Sequence, residues 1–191
     1  MDEKNAVYAF VKRKIAELDA DTSYSNAARA KLRRSVGKPL ESCPDVWDIT
    51  IAGSPERWNS FDGKPSREEK AVHTALTLYA LHRQSNPSSV NTEDVSFGAA
   101  MAKLRIFEQS SDEAIKRRFD AVATSVDYDE LAYHARGVVS LLKSKDIKMD
   151  YPRFAVDVFW FQLPEYADRV RLRWGEDFYR EINDKKGSAE K

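Results

Sequence analysis

One cysteine, three histidines, seven glycines and seven prolines are few for 191 residues, and no apolar run is long enough to cross a bilayer. The lone Cys43 excludes an internal disulfide and any multi-cysteine zinc site. Scarce glycine and proline argue against a turn-rich β fold, and the abundance of Ala, Leu, Glu, Lys and Arg favours helices. The first residues lack the apolar stretch of a signal peptide, so the expected setting is the reducing cytoplasm, with no membrane partner. Excess charge is also missing: 31 Lys and Arg balance 31 Asp and Glu. A neutral chain does not coat nucleic acid indiscriminately, although a local patch creates its own field.

Catalytic patterns are missing too. His73 and His82 lie nine residues apart, about 180° around a helix, and cannot share a metal without help from elsewhere. There is no phosphate-cradling glycine loop, Rossmann fingerprint or serine elbow. Acid pairs such as Glu68–Glu69 and Asp129–Glu130 are accounted for as helix starts. The expectation is no catalytic residue, no metal and no cofactor.

What is present is helical periodicity. Val7, Phe10, Val11, Ile15 and Leu18 put one apolar face on a helix from Lys4 to Asp19. Ser23 or Ser25 can cap the next helix, which Gly37 and Pro39 end. Residues 40–65 are irregular, with one short helix expected near Pro44–Ile51 and a packed loop after it. Ser66 and Glu69 form a capping box for a helix to Arg83. Further helices are expected over Val95–Ile106, after Ser110–Asp112, from a second capping box at Asp127 to Leu142, after Asp150–Pro152, and after Pro164. The expected fold is all-α, with about eight or nine helices in two packed halves (1–90 and 91–183) and a flexible tail (184–191).

The positive charge is concentrated. Arg29, Lys31, Arg33, Arg34 and Lys38 share an acid-free window between Asp21 and Glu41. Other acid-free stretches carry His82 and Arg83, Lys103 and Arg105, and Arg136, Lys143 and Lys145. Such separation of signs suits phosphate binding, where several cations must displace counterions from one backbone together. Local pairing competes with this reading: Arg117 and Arg118 have Asp112, Glu113 and Asp120 within reach on their own helix, and Arg180 has Glu176. Arg169, Arg171 and Arg173 splay around a helix and cannot all touch one strand.

Several stretches together resemble one family. They are Ala28-Arg29-Ala30-Lys31-Leu32-Arg33-Arg34, the helix from Glu69 through Ala75–His82, Ser96-Phe97-Gly98 through Leu104, Arg117-Arg118-Phe119, Arg136 through Lys143, Met149 through Trp160, and Trp174 through Tyr179. In this order and spacing they resemble the CasB small subunit of the type I-E CRISPR interference complex, Cascade, over Ala28 to Tyr179. The resemblance implies an all-α, non-enzymatic subunit present in two copies beside other Cascade subunits and the crRNA. It also implies a basic surface that holds nucleic acid, chiefly the displaced single strand of target DNA in the R-loop. By motif position it implies Arg33, Arg34, Arg67, Arg83, Arg118 and Arg136 as contacts, with Lys103 and Arg105 as further candidates. Arg29 and Lys143 join them from the basic stretches themselves. Ala99 stands where some relatives carry an arginine, and the Trp47–Phe61 insertion has no assigned role. The competing expectation is a helical scaffold whose arginines bind acidic protein surfaces.

Overall fold

The computed structural model describes residues 3–20, 22–59, 62–107 and 112–189, with side chains in the last segment described for 113–181. The described residues form nine α-helices: α1 (Glu3–Asp19), α2 (Ser23–Arg34), α3 (Trp47–Thr50), α4 (Arg67–His82), α5 (Phe97–Phe107), α6 (Asp112–Ala123), α7 (Tyr128–Ser144), α8 (Tyr151–Phe161) and α9 (Pro164–Ala189). They contain no strand; a single bridge joins Asn91 and Met149. The fold is all-α, as expected.

Helix ends follow local chemistry. At α2 the cap is Thr22, not the expected Ser23 or Ser25, because its extended backbone (φ −124°, ψ 158°) aims the hydroxyl into the first turn. Thr22 Oγ1 accepts the Ser25 N–H at 3.0 Å, and Ser25 Oγ accepts the Thr22 N–H at 3.1 Å. The Ser66–Glu69 box closes at 3.2 and 2.8 Å. At α7 only half of the expected box forms. Asp127 accepts the Glu130 N–H at 2.9 Å, but the Glu130 carboxylate passes the cap and takes the Val126 N–H at 2.7 Å. Asp150 caps α8 with Pro152 in its first turn. The expected cap at Ser110–Asp112 lies outside the described residues for 108–111.

Helix α4 is central. It is buried almost continuously from Ala71 to Ala80 and packs against α1, α2, α7 and α8. Helix α5 crosses α9 so closely that a Cβ on Gly98 would collide with the Trp174 backbone. Phe97 meets Phe154 and Trp174 there at ring separations of 5.1 and 5.2 Å. One connected apolar core takes residues from α1 through α9. The polar 86–96 loop is tied to the start of α8 by backbone hydrogen bonds, Thr92 N–H to Met149 and Asp150 N–H to Val95.

In residues 40–65 the expected short helix near Pro44–Ile51 is present, but it opens as a 3-10 turn (Pro44–Val46) that runs straight into the single turn of α3. Further 3-10 turns lie before it at Leu40–Ser42 and after it at Glu56–Trp58. The loop is packed, as its aromatics require: Trp58 is buried, donates to Glu3 at 3.0 Å and meets the Phe10 ring edge-on at 5.5 Å. Helix α9 continues to Ala189, through most of the stretch expected as a tail.

Candidate nucleic-acid interface

Helices α6 and α7 pack side by side and leave a groove of about 630 Å³ between them. On α7, Tyr133, Arg136, Gly137 and Ser140 recur at helical spacing and line one wall; Arg117 and Arg118 of α6 line the other. Arg117, Arg118, Tyr133 and Arg136 are all exposed. Among the described residues, the side chains of Arg118 and Arg136 have no internal hydrogen bond or ion pair, and Arg117 has only a 3.3 Å bond from Nε to the Glu113 carbonyl. None of the described lining residues is a carboxylate. His134, also part of the lining, leans out of it toward Glu130 at 3.6 Å. Three guanidinium groups therefore face one open space with no described ion pair, and the nearest lining carboxylate, Asp129, belongs to the adjoining cavity.

A second cavity of about 410 Å³ continues from the first, sharing Tyr133 and Arg136 and adding Lys38, Gly37 and Tyr128. Gly37 holds φ +75°, and a Cβ on it would sit 3.2 Å from the Arg136 guanidinium. Helix α2 stops at Arg34 with Ser35 as its C-cap, and Gly37 takes its positive φ in the turn beyond, next to the Lys38 that lines this cavity.

Arg29, Arg33 and Arg83 meet elsewhere, around a polar pocket of about 460 Å³ that also holds Asp19, Asn26 and Asn86. Their environments differ. Arg29 is buried and donates to the Leu18 carbonyl and to Asn26. Arg83 lies 3.5 Å from Asp19, which also accepts from the Tyr79 hydroxyl, and donates to the Pro87 carbonyl at 3.1 Å. Arg33 has no described partner; partial burial, then the charges of Arg29 and Arg34, push its guanidinium pKa down. Helix α7 links the pocket to the groove. Lys143, seven residues beyond Arg136 and so about 10 Å along the helix, donates to Gln84 beside Arg83 at 2.9 Å.

The remaining candidates are dispersed. Arg34 lies 3.9 Å from Asp45, and Lys103 lies 3.7 Å from Glu181. Arg105 covers the Phe178 ring at 5.6 Å. Arg67 is exposed at the opposite end of α4 from Arg83. The 169–173 arginines splay as their spacing requires: Arg169 over Tyr166, Arg171 to Asp168 and Ser125, Arg173 to Asp157. Sequence reasoning left Tyr133 and Arg117 out of the candidate set, with local pairing weighed for Arg117 and Arg118 alike. The available signal was the i, i+3, i+4, i+7 spacing of Tyr133, Arg136, Gly137 and Ser140, which marks a non-core face of α7.

His73 and His82 are buried, with ring nitrogens on the Lys38 carbonyl at 3.1 Å and the Tyr151 hydroxyl at 3.0 Å. No three His, Cys, Asp or Glu gather to hold a metal among the described residues.

The sequence profile of the CRISPR-associated protein Cse2 family matches residues 28–179. CasB from Thermobifida fusca is 31% identical over 91% of this chain and 97% of its own, and its fold superposes with a TM-score of 0.75. A Cse2-family CRISPR-associated protein from Thermus thermophilus is 22% identical over 94% of this chain and 99% of its own, at a TM-score of 0.66. A chain of a CRISPR RNA-guided surveillance complex shares the fold at a TM-score of 0.74 and 19% identity, over 97% of this chain and 98% of its own. No curated protein sequence matches.

Proposed function

The chain belongs to the Cse2 family of CRISPR-associated proteins, and from that premise we propose that it is a non-enzymatic subunit of Cascade that holds nucleic acid by its phosphates. Its partners are the other Cascade subunits with their crRNA, a second copy of itself, and target DNA, chiefly the displaced single strand. The observation that carries this reading is the groove of Arg117, Arg118 and Arg136, open to solvent and unlined by carboxylates among the described residues. Such an array releases counterions without reading bases, which suits a complex whose sequence recognition comes from guide pairing. Arg33 and Lys143 extend the track toward the 460 Å³ pocket. No helix among the described residues is long and apolar enough to cross a membrane, and the proposed setting is the cytoplasm.

The test is charge reversal in the assembled complex. Arg118→Glu with Arg136→Glu should shorten R-loop lifetime and leave the melting temperature of the isolated subunit near that of the parent. Three phosphate contacts predict roughly a 20-fold loss of single-strand affinity for the isolated chain between 50 and 200 mM salt. An affinity indifferent to salt, or an unchanged R-loop lifetime, would reject the phosphate track and favour arginines that serve an acidic protein partner.

A further inference from the structure

Gly137 sits in the interior of α7, where a glycine weakens the helix relative to alanine. At Gly98 packing explains the glycine; at Gly137 it does not, because a Cβ there would meet nothing within 4 Å. The space that Gly137 leaves open belongs to the α6–α7 groove. Tyr133, one turn before it on the same face, is 74% exposed. Its ring touches His134 edge-on at 5.3 Å, and its hydroxyl has no described partner. A scattered surface tyrosine needs no explanation. This one stands beside a bare stretch of helix, among three arginines.

The geometry points to a nucleobase seat: an unpaired base stacks on Tyr133 over Gly137 while its flanking phosphates lie on Arg136 and on Arg117 or Arg118. The inference rests on the groove holding phosphates and adds what it selects. The charge of the walls suits a polyanion, and its volume lies in the ~300–1,000 Å³ range of small-ligand sites. Aromatic stacking tolerates any base but needs one that is out of a duplex. The subunit therefore distinguishes single strand from duplex by Tyr133, whereas its arginines attract both.

The test compares binding of the full chain at low salt to a single-stranded oligonucleotide and to the same backbone with abasic sites in place of its bases. The parent should bind the base-bearing strand about 5-fold or more tighter. Tyr133→Ala and Gly137→Leu should bring that ratio to one while leaving abasic affinity unchanged, and Tyr133→Phe should keep it. Gly137→Leu should also raise the melting temperature, by about 2–3 °C, so that its loss of binding cannot come from unfolding. A parent ratio of one, or equal losses on both strands in Tyr133→Ala, overturns the base seat. If binding in those cases still falls with salt and with Arg136→Glu, the phosphate reading survives. If neither strand binds in a salt-dependent way, both fall together.

Discussion

Arg29 and Arg33 lie one helical turn apart in the same basic stretch and have opposite roles. The Arg29 guanidinium is buried on the Leu18 carbonyl, one of the last carbonyls of α1 that has no partner within its own helix. It therefore joins the end of α1 to α2, and the negative end of the α1 dipole favours its charge. Replacing it with methionine keeps most of the volume but strips the carbonyl of its donor, and should cost about 2 kcal/mol of unfolding free energy. Arg33 gains nothing comparable. Burial and two neighbouring arginines push its pKa down, which means that the fold holds this charge at a cost. Arg33→Gln should leave stability unchanged or raise it slightly while weakening single-strand binding. Urea denaturation of both variants checks the pair. Equal destabilisation would mean that Arg33 also braces the fold. Reversing charge across the whole stretch would confound unfolding with lost binding, so substitutions here must be made singly.

At the scale of elements, two glycines within α5 and α7 give opposite predictions. Gly98→Ala forces a methyl against the Trp174 backbone where α5 crosses α9, and should cost about 2–3 kcal/mol or prevent folding. Gly137→Ala meets open space and should add about 1 kcal/mol through helix propensity alone. Thermal unfolding of the two variants should move in opposite directions, and equal shifts would contradict the α5–α9 crossing. The helices themselves were legible because their signals are local. Ser66 with Glu69 and Asp150 with Pro152 each satisfy or spare backbone groups within a few residues, whereas α2 stops at Arg34 on a Ser35 cap, short of the expected Gly37. Residues 40–65 were less legible because their structure comes from long-range burial: Trp58 is held by Glu3 and Phe10, far away in the chain. The candidate site was half legible for the same reason. An acid-free stretch named Arg136, and Arg118 came only from its motif position in the family resemblance; nothing local says that α6 and α7 pack to bring them to one groove. Nor does sequence say that Arg29, in the richest window of all, turns inward.

At the scale of the whole molecule, balanced charge hides two opposed buried titrations. Asp157 of α8 accepts from Arg173 and from the Trp174 indole, both at 2.7 Å, yet its complete burial outweighs these partners and raises its pKa to about 6. The folded chain then binds a proton that the unfolded chain has already released between about pH 4 and 6, so Asp157 makes stability fall as pH rises through that window. His82 acts in the other sense. Burial lowers its pKa to about 4, the unfolded histidine takes up a proton near 6.5, and stability falls as pH drops from about 6.5 to 4. Each contribution is on the order of 3 kcal/mol, and over the shared window they largely cancel. Substitution should expose the remaining slope. Asp157→Asn should lose stability on acidification from pH 6 to 4 more steeply than the parent, and His82→Gln should gain relative to the parent over the same range. Denaturant midpoints measured at several pH values check both, whatever constant offset each substitution adds. Parallel profiles for all three proteins would show that these two groups keep their ordinary pKa values, and that water reaches them through the α8–α9 and α4–α8 contacts.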